Sequence, residues 1–437
     1  MENNFIRGFF DNTREKVLNI LLTQTAATLE LEHLYSHDKL TGCYSRQKLD
    51  EVLLKNDFSA LLLININNLD FVNSTYGYTI GDEILKLFVS FLHNFLIDRN
   101  TLFRLSSDEF VILIDQNSSQ DKEILAIEII KALQNHKFEI EDYSIILSCT
   151  IGITSKSDEN FTETPLVRAH AAMKEARQSG ANKFMTYSAD SVFLQKQRAN
   201  LEWMLKVKDA LTNDAILPFF QPILNNETNK IVKYEALARL IENGNVISPF
   251  HFIEPARLVG LLPKITQIIL MKSFKYFQNK PYDFTVNISE EDLKARYLLT
   301  LLTNLSKKYN IAPHRVTLEI LENISAQENE AAIEQLLELK SHGFKIALDD
   351  FGSEKSNFFR LQKMNVDYIK IDGSFIKDIH TNKNNLNICK TIVHLAQALG
   401  CEVIAEFVHS AEVLDVVQKI GIKYSQGYYI SEPKQEI

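Results

Sequence analysis

The sequence predicts two domains of different class, an α+β sandwich followed by an α/β barrel of the (β/α)8 type, with helical segments before and between them. Three observations carry this expectation. The chain has 437 residues, 45% hydrophobic and 24% charged, enough for two or three domains that each bury a core. Apolar strands and amphipathic helices mix irregularly up to about residue 188 and alternate regularly from about 216. The regular part holds about eight strand–helix repeats, the number that closes a barrel.

Residues 12–36 place Leu18, Leu21, Leu22, Leu29 and Leu34 at helical spacing. This predicts a leader helix within 1–36, either packed on the next domain or paired with a second copy as a short coiled coil. In the first domain, 37–188, the segments Ala60–Ile66, Phe110–Ile114 and Tyr143–Ile153 read as strands. Gly77 and Gly81 read as a loop before a helix that begins at Asp82. Residues 189–212 are charged, helical in pattern and free of Gly and Pro, so 189–200 is a stiff connector. In the second domain, 201–437, the expected strands are Leu217–Pro222, Val232–Leu237, Phe284–Ile288, Val316–Ile320, Lys345–Leu348, Tyr368–Ile371, Glu402–Ala405 and Tyr424–Tyr428. Helical patterns fill most gaps; Ala332, Ile333, Leu336, Leu337 and Leu339, for example, share one face before Gly343. Only the turn Asn225–Lys230 separates the first two strands, so one antiparallel neighbour is expected in the barrel.

The formal net charge is −9 and the isoelectric point near 5.7. This argues against a polymeric nucleic-acid partner, whose phosphates need a basic face, but not against a small anion held through a metal. Cys43, Cys149, Cys389 and Cys401 lie far apart with no zinc or CxxC spacing, as expected of reduced thiols in a cytoplasmic protein. No apolar run reaches the ~18 residues of a membrane span. Arg14, Glu15 and Lys16 precede the apolar positions, unlike a signal peptide.

Active sites of (β/α)8 barrels lie at the C-terminal ends of the strands. Here those ends carry Glu235, Asn287, Glu319, Asp349, Asp350, Lys370, Glu406 and Gln426. Taken singly, each is an ordinary polar residue opening a loop. Five carboxylates at one barrel mouth, however, repel one another and resist burial unless cations neutralise them. Such hard oxygen ligands suit Mg²⁺ or Mn²⁺, with Ca²⁺ as a competitor, and the lack of clustered His and Cys argues against zinc. Two divalent ions there would polarise a phosphoryl oxygen and activate water. Lys370 would orient or deprotonate that water or stabilise transition-state charge, and Arg239, four residues past Glu235, would reach a phosphate.

The segment Lys233-Tyr234-Glu235-Ala236-Leu237-Ala238-Arg239 resembles the signature of the EAL-domain phosphodiesterases. The resemblance continues through Gln221-Pro222, Val286-Asn287-Ile288-Ser289, Leu318-Glu319-Ile320-Leu321-Glu322, Asp349-Asp350-Phe351-Gly352, Ile369-Lys370-Ile371-Asp372, Ala405-Glu406 and Gln426-Gly427-Tyr428. It implies metal ligation by Glu235, Asn287, Glu319, Asp349, Asp350 and Glu406. It also implies a catalytic set of Glu235, Lys370, Glu322 and Gln426, and substrate contacts from Arg239, Gln221 and Pro222. The implied reaction opens cyclic di-GMP to linear pGpG. Two departures stand out. Ser353-Glu354-Lys355 follows Gly352 where the family has a small residue and a second glycine, and the family's Glu-Gly-Val-Glu is Glu406-Phe407-Val408-His409.

The first domain resembles the GGDEF family, which makes cyclic di-GMP from GTP. His37-Asp38-Lys39-Leu40-Thr41-Gly42 through Arg46 matches its opening motif, and Asn73 and Asp82 match its guanine-recognising residues. Arg104-Leu105-Ser106-Ser107-Asp108-Glu109-Phe110 occupies the signature. By that resemblance cyclase chemistry is expected to be lost: both signature glycines are serines, the usual metal-binding aspartate is Asn65, and Ala181 stands for a phosphate-binding arginine while Arg177 keeps its charge. Ile97-Asp98-Arg99-Asn100 stands where the inhibitory RxxD site would be. The expected role is either a scaffold or a regulatory GTP pocket built on Asn73, Asp82, Asp108 and Glu109.

The chain is therefore expected to be a cyclic di-GMP phosphodiesterase with a degenerate GGDEF domain in front. The rival expectation is a non-catalytic cyclic di-GMP receptor. A homodimer and an upstream signalling partner are expected in either case.

Overall fold

The computed structural model describes residues 30–437 apart from 56, 98–99, 157–163, 323–329 and 353–362. Most of the expected leader helix, part of the RxxD register and the Ser353-Glu354-Lys355 substitution lie outside the described residues; 30–36 are helical. The chain divides into two compact units between Lys196 and Gln197, and the helix Val192–Thr212 runs through that division. No helix among the described residues is long and apolar enough to cross a membrane.

The first unit is built on a sheet of order β2-β3-β1-β6-β7. Its strands are β1 (Ala60–Ile66), β2 (Thr101–Arg104), β3 (Glu109–Ile114), β6 (Cys149–Ser155) and β7 (Lys183–Thr186), with β1 antiparallel to both β3 and β6. Every β1 residue is buried, which requires cover on both faces. Strand alternation sends Ala60, Leu62, Ile64 and Ile66 into one core with Ile84, Phe88 and Ile129. It sends Leu61 and Leu63 into another with Leu49, Ala169 and Met173. Asn65 has the parity of Leu61 and Leu63, so it points toward the helix Pro165–Gln178. That helix starts cleanly: Thr164 accepts a hydrogen bond from the Val167 N–H, and Pro165 takes the first position, where no N–H is needed.

Two expectations for this unit are corrected. Tyr143–Ile153 is not one strand: Tyr143–Ile145 (β5) turns back on Phe138–Ile140 (β4) as a hairpin through Glu141 at φ 50°, and β6 starts only at Cys149. Gly81 is not in a loop either. The helix is Tyr78–His93, and Gly81 lies within it because a Cβ there would sit 1.9 Å from Asn73 Oδ1. The glycine serves a close contact rather than a turn.

The second unit is the expected barrel. Its strands are β8 (Ile216–Asn225), β9 (Lys230–Glu242), β11 (Asp283–Asn287), β12 (Val316–Leu321), β13 (Lys345–Phe351), β14 (Tyr368–Ile371), β15 (Glu402–Ala405) and β16 (Tyr424–Ser425). They pair in the order β9-β11-β12-β13-β14-β15-β16-β8, and β8 returns to β9 to close the ring; β10 (Asn245–Ile247) extends β9 at its edge. Only β8 runs against its barrel neighbours. The last strand is shorter than the expected Tyr424–Tyr428.

Period-two alternation then decides what lines the barrel. Tyr234, Ala236, Leu318, Ile320, Ile346, Leu348, Ile369, Ile371, Val403 and Ala405 face the surrounding helices in one large core. The intervening residues point inward. Ile223, Ala347, Tyr368 and Ile404 form a small apolar layer inside the barrel, and the next inward residues toward the mouth are Glu235, Glu319, Asp349, Lys370 and Glu406. Lys233 also lies inside, 3% exposed, its Nζ over the Tyr368 ring at 3.5 Å and without a hydrogen-bond partner. Burial, with Lys345 adding to it, pushes this amine down to about 7.

Candidate active site

Midway along β9 and at the C-terminal ends of β12, β13, β14 and β15, the side chains converge on one ammonium. Lys370 Nζ lies 2.9 Å from Glu319, 3.3 Å from Glu235, 3.0 Å from Asp349 and 2.8 Å from Glu406. Lys370 is 1% exposed. Its stem rises from the apolar layer, so its charge reaches the acids without crossing solvent. The Glu235 carboxylate is held on its other sides. It accepts from Asn287 Nδ2 at 2.8 Å and from Gln426 Nε2 at 2.7 Å, and Gln426 Nε2 also reaches Gln221 Oε1 at 3.1 Å.

One ammonium does not balance these acids. Burial alone would raise Glu235, but Lys370 and the two amides hold its carboxyl below the ordinary value. Glu319 is driven well above its usual range by burial and by the Glu235 charge, more than Lys370 offsets. Burial lifts Glu406 to about 8 despite Lys370. Asp350 rises to about 6 through burial and the charges of Asp349 and Asp372. Burial would lower Lys370, but the surrounding carboxylates hold it well above its ordinary value. The mouth thus holds acids that cannot all ionise together unless positive charge enters.

The donor set fits divalent cations. Oxygens of Asp349, Asp350 and Glu406 all lie within 4.8 Å of one another. Glu319 Oε2 meets Lys370, but its Oε1 is buried with no hydrogen-bond partner, a costly state for a carboxylate oxygen. All these donors are hard oxygens, as Mg²⁺ and Mn²⁺ prefer.

A cavity of about 660 Å³ opens above the acids. Gln221, Glu235, Asp349, Asp350, Lys370, Glu406 and Gln426 line it, together with Asp372, Lys377, Phe407, His409 and Tyr428. A second, more apolar chamber of about 340 Å³ shares Glu235 and Asp349 with it and also takes in Asn287, Glu319 and Arg257. The remaining expected site residues line neither space. Pro222 is buried in β8 opposite Tyr234 and lines neither space. Arg239 donates to its neighbour's carbonyl, Ala238 O, at 2.9 Å, with its guanidinium 5.9 Å from the Phe219 ring. Glu322 accepts from the Gly352 N–H at 2.9 Å, so it holds the backbone after Asp349-Asp350-Phe351 rather than joining the acids. Sequence reasoning gave no role to Asp372, Lys377 or Arg257. Asp372 had a signal, standing two residues past Lys370 on the same strand parity; the other two come from helical or loop positions with none.

The first unit presents a different polar site. Asn65 Nδ2 donates to Asp108 Oδ2 at 2.8 Å, while Arg177 Nη2 donates to Asn65 Oδ1 at 2.5 Å. Asn65, Asp108, Arg177 and Ala181 line a cavity of about 450 Å³. Glu109 turns to His170, 3.4 Å away, and that hydrogen bond outweighs burial in holding its carboxyl below the usual value. Arg104 bridges Asp38 Oδ1 at 2.9 Å and the carbonyls of Ser106 and Ser107, which fixes the signature turn without glycine. Asn73 and Asp82 do not line that cavity: Asn73 packs on Gly81, and Asp82 is exposed.

Comparison with known proteins fits both halves. The EAL-domain profile matches residues 204–433, and that of the diguanylate cyclase GGDEF domain matches 35–183. The cyclic di-GMP phosphodiesterase PdeB of Shewanella oneidensis is 27% identical over 423 residues, covering 93% of this chain and 49% of the relative. The chain spans about half the length of the first curated relatives it matches. Among solved structures, the FimX EAL domain of Pseudomonas aeruginosa bound to c-di-GMP is 27% identical with a TM-score of 0.51, over 54% of this chain and 97% of that one. The S helix-GGDEF-EAL portion of Vibrio cholerae LapD is 17% identical with a TM-score of 0.52, over 94% of this chain and all of that one, a likeness of fold.

Proposed function

This chain belongs to the EAL-domain family, with a GGDEF domain ahead of its EAL domain, and from that premise we propose that its barrel hydrolyses cyclic di-GMP to linear pGpG with divalent cations. The observation that carries the reading is the excess of buried carboxylate around Lys370 in a cavity roomy enough for a nucleotide.

Glu235, Asn287, Glu319, Asp349, Asp350 and Glu406 would hold Mg²⁺ or Mn²⁺. Bound there, the cations supply Lewis-acid charge and lower the pKa of water. Lys370, kept as an ammonium by its acidic neighbours, stabilises negative charge developing on the phosphoryl oxygens. Gln426, its Nε2 fixed between Glu235 and Gln221, has its Oε1 left to accept a hydrogen bond from the attacking water and orient it. As its oxygen bonds to phosphorus, the P–O3′ bond breaks; the water gives up one proton and the leaving O3′ takes one up, so none is gained or lost overall. Arg239 contributes a phosphate contact by exchanging the Ala238 carbonyl for a charged acceptor. Glu322 sets the position of the Gly352 backbone.

The GGDEF domain is read as catalytically silent, because an amide replaces the carboxylate at Asn65 and Arg177 already engages it. Its polar cavity leaves a regulatory GTP site as one role and a scaffold as the other. Four buried, unpaired cysteines accord with a cytoplasmic setting.

The test is turnover of cyclic di-GMP with Mg²⁺ or Mn²⁺, followed by chromatography, with binding measured alongside. Metal-dependent pGpG is expected; binding without product would place the protein among receptors. If the first domain senses GTP through that cavity, added GTP changes the rate and Asp108→Ala, at its lining, removes the response, whereas an unresponsive rate leaves a scaffold.

A further inference from the structure

Phe407 is an anomaly of this barrel. It directly follows Glu406, yet its backbone sits at φ 57°, a left-handed conformation that a bulky residue adopts only against strain. Its Cβ is pressed against the backbone of Gly373, where any added Cβ would lie 2.8 Å from it. The ring gains little burial in return, for Phe407 is 57% exposed. A strained backbone carrying an exposed aromatic ring is poor economy for folding and common where a ligand completes the packing.

The ring's position says which ligand. Phe407 lines the 660 Å³ cavity that also holds Glu235, Asp349, Lys370 and Glu406. His409 stands edge-on to it, ring centroids 6.1 Å apart at 80°, and Tyr428, itself 65% exposed, lines the same cavity. A phosphodiester engaged at Lys370 therefore has an aromatic wall beside it, and in a cyclic dinucleotide each phosphate is flanked by a purine base.

We propose that the Phe407 ring, braced by Gly373 and His409, is a stacking platform for a guanine base of the cyclic dinucleotide. It is a specificity-determining residue of this barrel mouth. The proposal rests on the cyclic di-GMP reading of the barrel. Stacking needs a flat π-face at that point, and leucine, similar in apolarity, does not supply one.

The test compares wild type with Phe407→Leu, Phe407→Tyr and Phe407→Gly. It measures KM and kcat for cyclic di-GMP with Mg²⁺, affinity for cyclic di-GMP by calorimetry with Ca²⁺, Mn²⁺ affinity and melting temperature. Phe407→Leu and Phe407→Gly should weaken affinity about 5- to 150-fold, the range for losing one base–aromatic stack, with the loss in KM rather than kcat. Phe407→Tyr should stay near wild type. Phe407→Gly should melt higher than wild type while binding more weakly, a divergence that a merely structural residue does not produce. Unchanged affinity in Phe407→Leu overturns the platform. So does a loss confined to kcat or to Mn²⁺ affinity, which would make Phe407 a prop for Glu406. A wild type that neither binds nor cleaves cyclic di-GMP removes the parent reading and this one together; wild-type binding without cleavage leaves the affinity arm decisive.

Discussion

The two units each place acids beside a basic side chain in a polar cavity, and they differ in how the charge is settled. At the barrel mouth, four carboxylates meet Lys370 with Asp350 beside them, and several are held above their ordinary range. In the GGDEF domain, Asp108 meets an amide, and that amide meets a guanidinium. The first arrangement stores a demand for cations, whereas the second satisfies itself internally. Counting acidic residues does not separate a metal site from a former one; the balance of donors and acceptors does.

Removing a carboxylate from the unbalanced site should have the largest effect. Glu235→Ala is expected to lower turnover by more than about 100-fold, beyond what loss of an outer ligand contact costs. The melting curve should remain cooperative. Retained activity would end the metal assignment at the mouth.

Metal addition sharpens the contrast next. Asp350 and Glu406 have folded values near 6 and 8, above their unfolded values. Their contribution to the stability of the metal-free barrel is therefore full below the unfolded values and is lost as pH rises through about 6 and 8. Mn²⁺ competes with those protons, so its stabilisation should be greater at pH 8 than at pH 5, reaching about 2.7 kcal/mol at a hundredfold excess over Kd. The GGDEF domain's transition should not move. Calorimetric scans at the two pH values decide, and equal shifts in both domains would dissolve the comparison.

Asn65→Asp attempts to convert the settled site into an unsettled one. It replaces the donor to Asp108 with a like charge, so the metal-free domain should lose about 1 kcal/mol. Part of that loss should return with Mg²⁺, as read by urea unfolding with and without the ion. Cyclase activity should stay absent, since Ser106, Ser107 and Ala181 remain.

The smallest effect contrasts the barrel's two buried lysines. Lys370 is surrounded by acids, while Lys233 lies over aromatic rings with no hydrogen-bond partner, its amine pushed down to about 7 by burial and by Lys345. That depressed value means the wild type loses stability as pH falls from the unfolded lysine value through about 7. Lys233→Met should therefore gain on wild type, by about 1 kcal/mol, at pH 6 and by less at pH 9. Equal unfolding midpoints at pH 6 would show that the Tyr368 ring fully offsets the burial.

Much of the barrel was legible because its information is periodic. An apolar run ending in an acid marks both a strand and the direction of its last side chain, so Glu235, Glu319, Asp349, Lys370 and Glu406 could be placed at one mouth from sequence alone. The antiparallel β8 followed from the short turn at Asn225–Lys230. Misreadings came where a residue's local meaning was overridden by a distant contact. Gly81 looked like a loop residue but makes room for Asn73, and Ile146, 65% exposed, looked like the middle of a strand that in fact breaks there.

By itself the sequence determined two domains, the barrel's inward register and the identity of its acids, because strand period and residue chemistry are local properties. Only the tertiary structure decided that Lys370 stands at the centre of the acids, that Arg177 reaches across to Asn65, that Glu322 serves a backbone N–H, and that Phe407 leans on Gly373. Those facts depend on which side chains meet across strands far apart in the chain, and side-chain reach and packing fix such meetings only after the barrel has closed.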